Sequence, residues 1–172
     1  MTGGSVWVLR HAKAASQGPD DHSRPLTARG KRQASDVGRH LAGAPIAGAA
    51  VPELVLSSSA RRALQTAKLV MAEMTTPVEL VVERRLYDAD ADDVAEVLRE
   101  LGAGAPSVLV VGHNPTLQEF ALLLVDPQDA GRARLEEGFP TAALAVVAVP
   151  APPWGRLSMG TGTLLEVRTP PR

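Results

Sequence analysis

The sequence predicts an α/β fold of three layers, a mostly parallel central sheet with helices on both faces. Two observations lead to it. Apolar, strand-like runs alternate with helix-like segments along the chain, the order of parallel strands joined by helical crossovers. The run "VLVV" within "SVLVVGH" is continuously apolar, as a strand buried on both faces is.

Each element has its own signal. Residues 5–10 read as a buried strand that stops at Arg10-His11. In "LTARGKRQASDVGRHLAG", Leu26, Ala34, Val37 and Leu41 recur at roughly helical spacing, with Thr27 as N-cap and Gly43 as the stop. "ELVLSSS" is a second strand, whose serines are expected to cap the next helix, "ARRALQTAKLVMAEM". "VELVV" is a third strand. "DADDVAEVLREL" is an acid-capped helix closed by Gly102. "SVLVVGH" is a fourth strand. "NPTLQEFALLLV" is a helix with Asn114 expected as N-cap and Pro115 at its first position. "TAALAVVAV" and "GTLLEV" read as closing strands, and the Pro-rich 149–155 as a loop between them.

With 172 residues, residues 1–172 are expected to form a single domain with its own core. A net charge of -1 argues against nucleic-acid or anionic-membrane partners. The absence of Cys removes disulfides, thiolate metal sites and a Cys nucleophile. No signal pattern opens the chain and no apolar run is long enough to span a bilayer, so a cytoplasmic protein is expected. A monomer is expected as well.

Arg10-His11 and His113 each end a strand. In open α/β sheets ligands bind beyond the carboxyl ends of the strands, so these residues, remote in sequence, are expected to meet. Arg61 and Arg62 open the helix after "SSS". Arginine is unfavourable against the helix dipole there, unless an anion is shared between guanidinium groups and amides. Two His and at least two Arg at one sheet edge make an anion site suited to a phosphoryl group, and a neutral imidazole is a competent nucleophile at phosphorus.

These motifs resemble those of the histidine phosphatase superfamily, the phosphoglycerate-mutase-like fold. The opening strand and Arg-His-Gly of that family stand here as Arg10-His11-Ala12, with Ala in place of Gly. The Ser-rich strand end and Arg-Ala-x-Gln-Thr helix start stand as "SSSARRALQTA", which singles out Arg62 over Arg61. The final strand and Gly-His stand as Gly112-His113. Within the superfamily the chain is similar to the short, SixA-like phosphohistidine phosphatase branch, through "DDHSRPLTARG", "GHNPTL", "FPTAAL" and the lack of a large insertion.

The resemblance implies roles. His11 attacks phosphorus and becomes phosphohistidine. Arg10, Arg62 and His113 hold the phosphoryl oxygens, and Arg24 contacts the phosphate or its leaving group. Neither metal nor other cofactor is required. The partner is a protein carrying phosphohistidine or, alternatively, a small phosphate ester. Larger relatives supply a Glu as general acid; in "VVERRLYDADADD" the candidates are Asp88 and Glu83, and neither matches cleanly. A site without a strong acid suits phosphohistidine, whose P–N bond is labile and whose imidazole solvent can protonate. For Arg24 the competing reading is a structural one, with Asp20 and Asp21 pairing to it. More remote alternatives are a metal hydrolase built on His11, His113 and Asp20 or Asp21, and a silent anion-binding module.

Overall fold

The computed structural model describes residues 3–102, 104–150 and 154–171. Six strands, β1 (Gly4–Arg10), β2 (Leu54–Ser58), β3 (Glu79–Glu83), β4 (Ser107–Gly112), β5 (Leu144–Val149) and β6 (Thr163–Arg168), form one sheet in the order β3-β2-β4-β1-β5-β6. The first four are mutually parallel, while β5 runs antiparallel to β1 and β6 antiparallel to β5. The helices are α1 (Ala28–Ala42), α2 (Arg61–Glu73), α3 (Ala91–Leu101), α4 (Thr116–Leu124) and the short α5 (Arg132–Glu136).

Strand periodicity divides the core in two. Trp7, Leu9, Val55, Leu109, Val111, Leu144 and Val146 pack with the buried faces of α1 and α2. Their alternates Val6, Val8, Leu56, Val108, Val110, Ala145 and Val147 pack with α3, α4 and Phe139 on the opposite side. Each fully buried Val or Leu contributes on the order of 2 kcal/mol, so the three layers are held mainly by this interdigitation.

The layering also makes a crevice. The chain leaves β1 for α1 on one face, and leaves the adjacent β4 for α4 on the other. Their loops diverge, which opens space beyond the carboxyl ends of two neighbouring strands.

Local expectations fare unevenly. Thr27 caps α1, accepting from the Gly30 amide at 3.0 Å, and Asp90 and Asp93 form a reciprocal capping box on α3. Neither serine nor asparagine caps where expected. Ala60 is the N-cap of α2, with no side-chain bond, and Ser58 Oγ instead accepts from the Ala60 amide at 3.2 Å. Pro115 is the N-cap of α4, while the Asn114 amide donates to Gln118 Oε1 and the Phe139 carbonyl. Of the expected loop at 149–155, residues 151–153 lie outside the described residues, and Trp154–Arg156 forms a 3-10 turn.

One close approach fixes the segment after β1. The Lys13 carbonyl accepts from the Thr27 amide at 2.9 Å and from its hydroxyl at 3.1 Å, and the Lys13 amide donates to Gln33 Oε1 at 3.0 Å. A Cβ on Gly30 would stand 2.0 Å from that carbonyl oxygen, so only glycine lets α1 come this near. Gly30→Ala should therefore destabilise the protein by about 3 kcal/mol, an overpacking cost against backbone. Denaturant unfolding measures it, and an unchanged midpoint would refute the close approach.

Candidate active site

The parallel pairing of β1 with β4 aligns Arg10 with Gly112, and the His11 amide continues the ladder to the Gly112 carbonyl at 2.9 Å. His11 and His113 thus emerge side by side, ring centroids 5.3 Å apart. The His11 Nδ1–H donates to the Ala12 carbonyl at 2.8 Å; a carbonyl only accepts, which leaves the lone pair on Nε2. Ala12 is not in the left-handed backbone region, so replacing the family's glycine costs no strain.

Arg62 reaches this pair from the first turn of α2. Its Nε donates to His11 Nε2 at 3.3 Å, and its NH2 group to His113 Nδ1 at 3.4 Å. Because arginine only donates, the proton of His113 lies on Nε2, which donates to Ser58 Oγ at 2.8 Å. The helix is tied down by two later residues of its motif. Thr66 Oγ1 accepts from the Ala12 amide at 3.0 Å and donates to the Arg62 carbonyl at 2.7 Å, and Gln65 Oε1 accepts from the Leu26 amide at 2.8 Å. Arg62 is buried and Arg61 exposed.

Arg10 donates to the Phe139 carbonyl at 2.9 Å, and its Nε is buried with no hydrogen-bond partner among the described residues. The "FPTAAL" segment braces the same corner. Ala142, at φ 61°, directs its amide to the carbonyls of Arg10 and His11.

Burial keeps both imidazoles uncharged. His11 is pushed down to about 4, by desolvation first and then by the guanidinium groups of Arg62, Arg10 and Arg24, despite its bond to Ala12. His113 is pushed down to about 3, by desolvation and then by His11 and Arg62.

The remaining candidates surround this centre without hydrogen-bonding to either imidazole. Arg24 turns its fork onto Asp21 Oδ1, with Nε at 3.0 Å and NH2 at 2.7 Å, and donates to the Ala15 carbonyl at 2.7 Å, the pairing that its structural reading expects. Glu83 is bound by the amide and guanidinium of Arg85, which hold it below the usual carboxylate range, so it carries no proton to donate. Asp88 is exposed and lines a cleft of about 520 Å³ with His22, Ser59, Arg84 and Tyr87. The metal-centred alternative loses a ligand, since Asp21 faces Arg24, Arg62 and Tyr87. Tyr87 is the participant that the sequence does not reveal, and Asp21, expected beside Arg24, also reaches Arg62. The Tyr87 hydroxyl donates to Asp21 Oδ2 at 2.7 Å, and its ring meets those of His22 and His113 edge-on.

A sequence model of the histidine phosphatase superfamily (branch 1) matches residues 6–97. The chain belongs to the histidine phosphatase superfamily. An uncharacterized protein of Mycobacterium tuberculosis, Rv1276c, is 36% identical to this superfamily member over 166 residues, covering 94% of the chain and 99% of the relative. Among solved structures, a protein from Nakamurella multipartitia given the name SixA superposes with a TM-score of 0.86 at 27% identity, over 99% of this chain and 98% of the other. The protein histidine phosphatase SixA complexed with tungstate superposes with a TM-score of 0.74 at 28% identity, over 95% of both chains. No helix among the described residues is long and apolar enough to cross a membrane.

Both histidines titrate near 6.5 when unfolded but at about 4 and about 3 when folded. Between these values the unfolded chain binds more protons, so stability is lost as pH falls from 6.5 towards 4. A bound dianion favours the imidazolium forms and counters that loss. Tungstate should therefore raise the melting temperature more at pH 5 than at pH 7.5, and His113→Asn should shrink the difference. Equal stabilisation at both pH values would contradict neutral, buried imidazoles.

Proposed function

We propose that this chain is a metal-independent phosphatase that hydrolyses phosphohistidine in a protein, through a covalent phosphohistidine on His11. The observation that carries the reading is the His11 ring itself: neutral, its tautomer fixed by the Ala12 carbonyl, and its Nε2 lone pair beside the Arg62 guanidinium. Nε2 attacks phosphorus as the bond to the substrate's imidazole nitrogen breaks, and that imidazole leaves with a proton from solvent. Water then attacks phosphorus, the bond to Nε2 breaks, and inorganic phosphate departs. Arg62 and Arg10 stabilise charge on the phosphoryl oxygens through both steps. His113 joins them by taking up a proton on Nδ1, which the arriving dianion makes favourable.

The choice of phosphohistidine over an alkyl ester is supported by the state of the carboxyl groups. An alkoxide needs a proton as it leaves, whereas imidazole is a good leaving group once protonated by solvent. Asp21 and Glu83 are both held ionised by hydrogen-bond donors, and Asp88 hydrogen-bonds to neither imidazole. The likeness to SixA structures at 27–28% identity agrees with this reading. Arg24 is assigned here to the wall of the site.

A hydrolysis screen tests the proposal. The wild type should prefer a phosphohistidine peptide over alkyl and sugar phosphates in kcat/KM, with activity unaffected by EDTA. His11→Ala should lower kcat by roughly three orders of magnitude, as loss of a covalent nucleophile does. Better turnover of a small phosphate ester would favour the small-molecule alternative, with Asp88 as its proton donor. Near-normal activity of His11→Ala would remove the covalent mechanism.

A further inference from the structure

We propose that Asp21 is a positioning residue, which holds the outer edge of Arg62 so that its inner edge faces the transferring phosphoryl group, with Tyr87 and Arg24 as its fixed supports. The inference rests on the phosphatase reading above.

The Arg62 guanidinium has two unlike sides. Towards the imidazoles its bonds are long, 3.3 Å to His11 and 3.4 Å to His113, and both end on nitrogen lone pairs. Towards the 16–24 segment they are shorter, 2.7 Å from NH1 to the Asp21 carbonyl and 3.1 Å from NH2 to Asp21 Oδ2. A phosphoryl oxygen arriving between the rings would replace the long bonds, since a charged acceptor outcompetes a neutral nitrogen. The Asp21 bonds would persist and set the plane of the guanidinium.

Asp21 is itself held at four points. Oδ1 accepts Nε and NH2 of Arg24, and Oδ2 accepts Arg62 NH2 and the Tyr87 hydroxyl. Arg24 is anchored in turn on the Ala15 carbonyl. These four donors occupy the four lone-pair directions of a carboxylate. Its negative charge also offsets that of Arg62 beside two neutral rings. A carboxylate serving as a plug, standing in for substrate, would sit on the inner edge of Arg62; this one takes the outer edge.

The test is a double-mutant cycle read by two probes, orthovanadate affinity and steady-state hydrolysis of phosphohistidine peptide. Asp21→Asn should weaken orthovanadate binding and lower kcat by about tenfold, with KM little changed, because one face of an amide cannot accept these bonds. In an Arg62→Ala background the same substitution should change either value by less than about twofold, the signature of a residue acting through its neighbour. Tyr87→Phe keeps the ring against His22 and His113, removes only the hydroxyl, and should show a smaller loss with the same dependence on Arg62. If Asp21→Asn does not fold, Tyr87→Phe carries the cycle alone. Tighter orthovanadate binding, equal losses in both backgrounds, or no loss at all would overturn the positioning role while leaving the phosphatase reading intact. A wild type that neither binds orthovanadate nor hydrolyses any phosphoryl donor would overturn both.

Discussion

The pairing of β1 with β4 is the constraint on which the site depends. The two strands are parallel, adjacent and in register from Ser5 opposite Ser107 to Arg10 opposite Gly112, and the His11 amide adds one further bond to the Gly112 carbonyl. That last bond brings the two imidazoles together. A slip of one residue would turn Trp7 and Leu9, and their alternates Val6 and Val8, to the wrong faces, so the two halves of the core enforce the register.

Electrostatics follows from that placement. Two neutral rings in a buried corner supply lone pairs but no charge, and Arg62 lies against both. An isolated buried cation is costly, and it is retained here because each of its nitrogens has a partner, Asp21 among them. The arrangement is incomplete in a specific sense: donors from Arg62 end on weak nitrogen acceptors, and Arg10 Nε ends on none among the described residues. A doubly negative phosphoryl group would satisfy them and charge His113 as it binds.

The sequence makes the sheet and its helices legible because strand burial and helix periodicity are local signals. It also distinguishes Arg62 from Arg61, through the motif in which Gln65 and Thr66 turn out to fasten α2 to the segments that follow β1. What it hides depends on three-dimensional competition. Ser58 is drawn to His113 and the Ala60 amide, and Asn114 to Gln118 and Phe139, so neither caps a helix from the usual position. Glu83 is lost as an acid because Arg85, two residues on, folds back onto it. Asp21 and Tyr87 meet across a long stretch of chain, and no spacing rule connects them. The short α5 and the 3-10 turns are too brief to leave a periodic pattern.

The proposed covalent mechanism requires phosphorus to bond to one particular nitrogen. Rapid mixing with phosphohistidine peptide, alkaline quench and NMR of the trapped phosphoenzyme would identify both the residue and the ring atom. An acid-labile phosphoryl group is expected on Nε2 of His11, since Nδ1 is occupied by its bond to the Ala12 carbonyl. A phosphoryl group on Nδ1, on another residue, or on no residue during active turnover would contradict that mechanism.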